Sequence, residues 1–155
     1  MKYVTEIEIE LPREEMLALL DDPMNMKHWQ RGLQTCRQLS GDPGEEGSQM
    51  ELEYLMGKRH LLLVETVIKR NFPEEFHLTY DARGVHNIQK NYFEVLDEGR
   101  CKWISESEFQ FSSLPMKLMG WLMPGAFKKQ SLAYLRDFKK FAETGASVSE
   151  LQQGK

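Results

Sequence analysis

Apolar and polar positions change rhythm three times along this chain. From Lys2 to Leu11 they alternate, with Tyr3, Thr5, Ile7, Ile9 and Leu11 on one side and Val4, Glu6, Glu8 and Glu10 on the other. A period of two is that of a strand with one buried face. Pro12 then supplies the fixed φ of a first helical turn, and Glu14 and Glu15 suit its positive end. Met16, Leu17, Leu19 and Leu20 give this helix its buried side, and Asp22-Pro23 ends it. A second short helix is expected from Met24 to Arg31, closed by Gly32 and carrying Trp29.

The middle of the chain returns to strands. Leu33 to Leu39, Ser48 to Met56, Arg59 to Arg70, Glu75 to Ala82, Val85 to Leu96 and Arg100 to Phe111 are separated by clusters of Gly, Asn, Asp and Pro. Short connections between successive strands require antiparallel pairing. The third rhythm is helical. Ser113-Leu114-Pro115 opens an apolar stretch to Met123, and Pro124-Gly125 breaks it. From Ala126 to Glu143, Phe127, Ser131, Tyr134, Leu135, Phe138, Phe141 and Ala142 recur at helical spacing, opposite a basic face. Such a helix is about 27 Å long, enough to cross a whole sheet of eight-residue strands. The residues after Thr144 are small and polar and are expected to fray.

Composition narrows the classes of function. Hydrophobic residues at 41% and charged residues at 28% describe an ordinary globule, and 155 residues suffice for one core. A net charge of -4 with no long basic run argues against nucleic-acid binding. The longest apolar run, Leu61 to Val64, is far too short to cross a bilayer. Acid at Glu6 stands where a secretory leader needs apolar residues, and Cys36 and Cys101 cannot build a disulfide framework. Both are expected to be reduced core thiols, and the expected location is cytoplasmic.

Several segments carry a family likeness. They are Asp22-Pro23-Met24-Asn25-Met26-Lys27-His28-Trp29-Gln30 followed by Gly32-Leu33, Gly47 ahead of Met50-Glu51-Leu52, and Asn91-Tyr92-Phe93-Glu94-Val95 ahead of Gly99. With the order of elements, they resemble the START/polyketide-cyclase superfamily, the SRPBCC group best known from the birch-pollen allergen. That resemblance implies an α+β helix-grip fold over residues 1–143, with 144–155 as a flexible tail. In this fold a curved seven-stranded antiparallel sheet, two short helices and a long C-terminal helix enclose a cavity. It also implies a small hydrophobic or amphipathic ligand: members bind lipids, sterols, polyketides or plant hormones, and some cyclise or dehydrate them.

The pocket wall is then expected from Met50, Leu52, Tyr54, Phe76, Leu78, Tyr80, Trp103 and Phe109, faced by Met119, Met123, Phe127 and Leu135 from the helices. The same stripes would equally fill an ordinary core. Its polar contacts are expected from Asn87, Gln89 and Asn91 on the sixth strand and Ser105 and Ser107 on the seventh. The opposite register of the sixth strand would bury His86, Ile88, Lys90 and Tyr92; the cost of burying Lys90 unpaired favours the first.

No catalytic set, metal site or cofactor motif is recognised. His28, His60, His77 and His86 have no ligand spacing, though His77 and Asp81 share a strand face. Tyr54, Tyr80 or Asn91 could orient an enol or carbonyl. The Leu118–Met123 stretch, beside Lys117, Lys128 and Lys129, reads either as part of the pocket mouth or as a contact for a membrane or protein.

Overall fold

The computed structural model describes residues 1–149. Seven strands form one antiparallel sheet: β1 (Lys2–Ile9), β2 (Leu33–Ser40), β3 (Gln49–Met56), β4 (Arg59–Asn71), β5 (Glu75–Ala82), β6 (Val85–Asp97) and β7 (Arg100–Phe111). The spatial order is β1-β7-β6-β5-β4-β3-β2, so β2 to β7 run as a meander and β1 adds to β7. Helices α1 (Arg13–Asp21) and α2 (Met26–Trp29), with the 3-10 turn Pro23–Asn25 between them, link β1 to β2. Asp22 caps that turn, its Oδ1 accepting from the Met24 amide at 2.9 Å. Helices α3 (Leu114–Leu122) and α4 (Pro124–Thr144) follow the sheet. The second expected helix thus divides into a 3-10 turn and one α turn, and every other expected element is present.

The period of two on β1 is realised as expected: Thr5 and Ile9 are buried while Val4, Glu6 and Glu8 are exposed or nearly so. On β6, Asn87, Asn91 and Phe93 are buried and Lys90 is exposed, which is the register that keeps the lysine in water. Buried apolar side chains fall into two clusters. One joins Ile9, Met16, Leu17, Trp29, Phe93, Cys101, Trp103, Leu135 and Phe138. Phe138 lies edge-on to Trp29 and Trp103, with ring centroids 5.3 and 5.4 Å away. The second joins Met26, Met50, Leu52 and Tyr54, with Leu33, Leu63 and Tyr80 packed on it.

Helix positions follow from local contacts. Arg31 holds Asp137 through two hydrogen bonds of 2.7 and 3.0 Å, tying the end of α2 to α4. The Tyr3 hydroxyl meets Ser131 Oγ at 2.7 Å and anchors α4 beside β1. Gly120 allows α3 to rest on β7, since a Cβ there would stand 2.7 Å from the Phe111 ring. α4 ends at Gly145, whose φ of 77° forms a left-handed cap. Beyond it Ser147 Oγ contacts His28 Nδ1 at 2.8 Å and Val148 is buried, so residues 147 and 148 of the expected tail are packed. The remainder of that tail, residues 150–155, lies outside the described residues.

One expectation requires correction. Cys36 is exposed, and only Cys101 is a core thiol. Cys36 shares the inward register of Leu52, but β2 is the sheet edge and leaves its side chain uncovered. His77 and Asp81, which share a strand face, turn to other partners: His77 Nε2 lies 3.1 Å from Glu75 and His86 Nδ1 lies 2.6 Å from Asp81.

Candidate functional site

Helix backbones approach β1, β2, β6 and β7, whereas β3, β4 and β5 have no comparable neighbour among the described residues. Antiparallel register places Met50, Glu65 and Tyr80 in one row across β3, β4 and β5, with Leu52 and Leu63 paired next to it and Val67 opposite Leu78. The sheet thus presents one carboxyl group among aliphatic and phenolic side chains.

Glu65 and Tyr80 each retain partial exposure although they stand on the inward face. Burial pushes the Glu65 carboxyl above its ordinary value, and the neighbouring Tyr80 phenol partly offsets that. Burial likewise raises Tyr80 well above the usual phenol range, with the Glu65 charge adding to the effect. Tyr54 is raised well above that range by burial first, then by Tyr134 and Glu65. Tyr134, reaching in from α4, is raised by burial as well. Tyr54 and Tyr80 thus neighbour the Glu65 carboxyl group, and Tyr134, from α4, neighbours the two phenols. The Tyr54 hydroxyl donates to Gln30 Oε1 at the end of α2. Glu65 and Tyr80, both half-buried, pair across β4 and β5 near the middle of the sheet.

The other expected site residues divide between this region and the packed core. Leu78 is buried beside Val67 and belongs to the same wall. Asn87 donates to Ser107 Oγ at 2.9 Å, and Asn91 Oδ1 accepts from Trp103 Nε1 at 2.9 Å. These pairs satisfy one another inside the sheet face. Ser105 is buried opposite Asn91 and Thr5, and Gln89 is half-buried between Leu78 and Ser107. Trp103 and Leu135 enter the aromatic core. Phe127 packs on Phe109 and Phe111, with centroids 4.8 and 5.6 Å apart. Met119 and Met123 are 42% and 57% exposed, so they stand largely outside the interior. Two surface hollows of about 390 and 330 Å³ lie over Asp81, His86 and Gln110 and over Lys2, Ile88 and Glu106; neither reaches Glu65 or Tyr80.

Glu65 is the residue that sequence reasoning missed. Leu61 to Val64 is continuously apolar, so β4 shows no alternation from which to read its faces. Its partner supplies the answer: β3 alternates cleanly, and Leu52 pairs with Leu63, which turns Glu65 inward. Among the described residues, no group of three or more His, Cys, Asp or Glu side chains could hold a metal ion.

A curved antiparallel sheet holding a long C-terminal helix, with two short helices closing one end, is the helix-grip architecture. The chain belongs to the family described as polyketide cyclase/dehydrase and lipid transport, whose model matches residues 1–143. Among solved structures, a conserved protein from Geobacillus kaustophilus superposes with a TM-score of 0.79 at 12% identity, covering 94% of this chain and 97% of that one. The Zhui aromatase/cyclase from a Streptomyces species gives 0.76 at 12% identity, over 92% and 93% of the two chains. Norcoclaurine synthase from Thalictrum flavum, solved with dopamine and hydroxybenzaldehyde, gives 0.68 at 13% identity, over 91% and 85%. A search of curated proteins returns no significant match.

Proposed function

We propose that this protein binds or carries a small amphipathic molecule on the concave face of its sheet. The polar end of the ligand lies at Glu65 and Tyr80, and its apolar part rests on the neighbouring aliphatic wall, where Leu63 is half-buried. The observation that carries this reading is an inward carboxyl group between aliphatic neighbours, in the part of the sheet that no helix closely covers. Keeping such a group in a well-packed core is costly, and a placed polar group in an apolar recess is what a ligand site needs. The family description and the aromatic ligands of the norcoclaurine synthase structure support a lipid, a polyketide or an aromatic compound as the class. No cofactor enters this reading. The free thiols Cys36 and Cys101 suit a reducing compartment such as the cytoplasm.

Native mass spectrometry of protein purified without added ligand, followed by a panel of fatty acids, sterols and aromatic compounds, tests the proposal. At least one class is expected to bind, and Glu65→Gln is expected to weaken it about tenfold or more, the worth of one hydrogen bond to a charged group. A folded protein that retains nothing and binds no member of the panel refutes the reading.

A second reading is favoured by the raised Glu65 carboxyl beside Tyr80. A carboxyl group whose proton is held more tightly than usual is suited to general acid–base work, as cyclisation or dehydration of a bound carbonyl compound requires. Turnover of a bound polyketide-like ligand that Glu65→Gln abolishes, with binding retained, would select this version.

A further inference from the structure

The exposed apolar surface lies elsewhere. Along α3, Leu114, Leu118, Trp121 and Leu122 are 80%, 54%, 77% and 61% exposed, and α3 buries none of its side chains fully. Only Met116 and Gly120, one turn apart, turn towards the sheet side, Gly120 against Phe111. The β3–β4 hairpin adds exposed Met56 and Leu62. Met56 reaches α4 through a 4.0 Å contact from Gln130 Nε2 to its Sδ, which brings the hairpin to the end of α4 that α3 leads into. A helix so apolar and so little covered needs an occupant.

Charge identifies it. Residues 54–64 and 109–135 contain Lys58, Arg59, Lys117, Lys128 and Lys129 and no Asp or Glu, although the chain holds 24 acidic residues. All five basic side chains belong to exposed residues. None of them pairs with an acid among the described residues. An apolar ridge carrying an exposed tryptophan and flanked by unpaired lysines, in a chain that is otherwise acidic, complements the surface of a negatively charged bilayer. A protein groove would cover the apolar ridge but gives no reason for acid to be excluded from both segments.

We infer that α3 and the β3–β4 hairpin dock this protein onto anionic lipid membranes, with Trp121 inserted at the headgroup level. The surface is separate from Glu65 and Tyr80, so this inference stands or falls independently of the interior ligand.

Vesicles of phosphatidylcholine alone and with 30% phosphatidylglycerol (roughly the anionic content that gives a strong surface potential) test it by cosedimentation. Tryptophan fluorescence is read in parallel with bromine-labelled lipid. Trp29 and Trp103 are buried, so quenching reports Trp121. The expected result is binding to the anionic vesicles only, lost at high salt and accompanied by quenching. Trp121→Ala should lower partitioning about tenfold. Lys117→Gln, Lys128→Gln and Lys129→Gln together should lower it on the order of 100-fold. These side chains are exposed, so unchanged melting curves will show that the variants fold. Absence of binding to both vesicle types overturns the inference. So does equal binding to both, or self-association that Trp121→Ala abolishes in a protein that ignores vesicles.

Discussion

Phe138→Ala is expected to cost about 3–5 kcal/mol of folding stability, the range for removing a large buried aromatic side chain. Phe138 is 0% exposed and is the contact through which α4 reaches both Trp29 from α2 and Trp103 from β7. Its removal leaves three elements facing one void; the two indoles already meet edge to face, with centroids 6.3 Å apart, and cannot also fill the space of the lost ring. A domain of this size should lose roughly 10 °C in Tm. Urea denaturation of the variant against the parent checks it. Leu122→Ala, on the exposed face of α3, serves as a control and should change stability by less than about 0.5 kcal/mol. A loss of under 1 kcal/mol at Phe138 would mean that the closed end of the grip does not hold the fold together.

Glu65→Gln should act in the opposite direction. The folded protein holds the Glu65 proton more tightly than the unfolded chain, because burial raises its pKa above the ordinary 4.5. Between the unfolded and folded values the native state therefore binds more protons, and stability falls as pH rises through that window. Above it the penalty is complete and constant. Glutamine keeps an acceptor for the Tyr80 hydroxyl and removes the charge. The variant should be more stable than the parent at neutral pH by about 1–2 kcal/mol, the cost of a buried polar group without full compensation. The difference should shrink as pH drops towards 4.5. Equal pH profiles for the two proteins would show that Glu65 is fully solvated. A stability gain coupled to weaker ligand binding is the signature of a group kept for function at a cost to folding.

The fold was legible because its evidence is periodic and repeated. Tyr3 to Leu11, Met50 to Met56 and Phe76 to Tyr80 alternate cleanly, and Phe127 to Ala142 recur at helical spacing. The β6 register followed from one electrostatic argument, the cost of burying Lys90, and that residue is exposed. The site was less legible for two physical reasons. A run of four apolar residues hides which face of β4 is buried, and with it Glu65. The polar side chains that did stand out, Asn87, Asn91 and Ser107, spend their hydrogen bonds on one another and on Trp103. Exposure of Cys36 was hidden too, because the sequence gives no sign that β2 is the edge of the sheet. Tyr80 was visible as an inward phenol, yet its neighbour across β4 became evident only with the strands paired.

In the proposed mode of binding a ligand sits on the concave face against Glu65 and Tyr80. Chemical-shift mapping in the isotopically labelled protein, during titration with a compound that binds in the native mass spectrum, tests it most directly. The largest perturbations are expected on Glu65, Tyr80, Tyr54 and Leu78, and they are expected to shrink in Glu65→Gln. Perturbations confined to the outer face around Val4, Ile88 and Lys90, with Glu65 and Tyr80 unmoved, would contradict it.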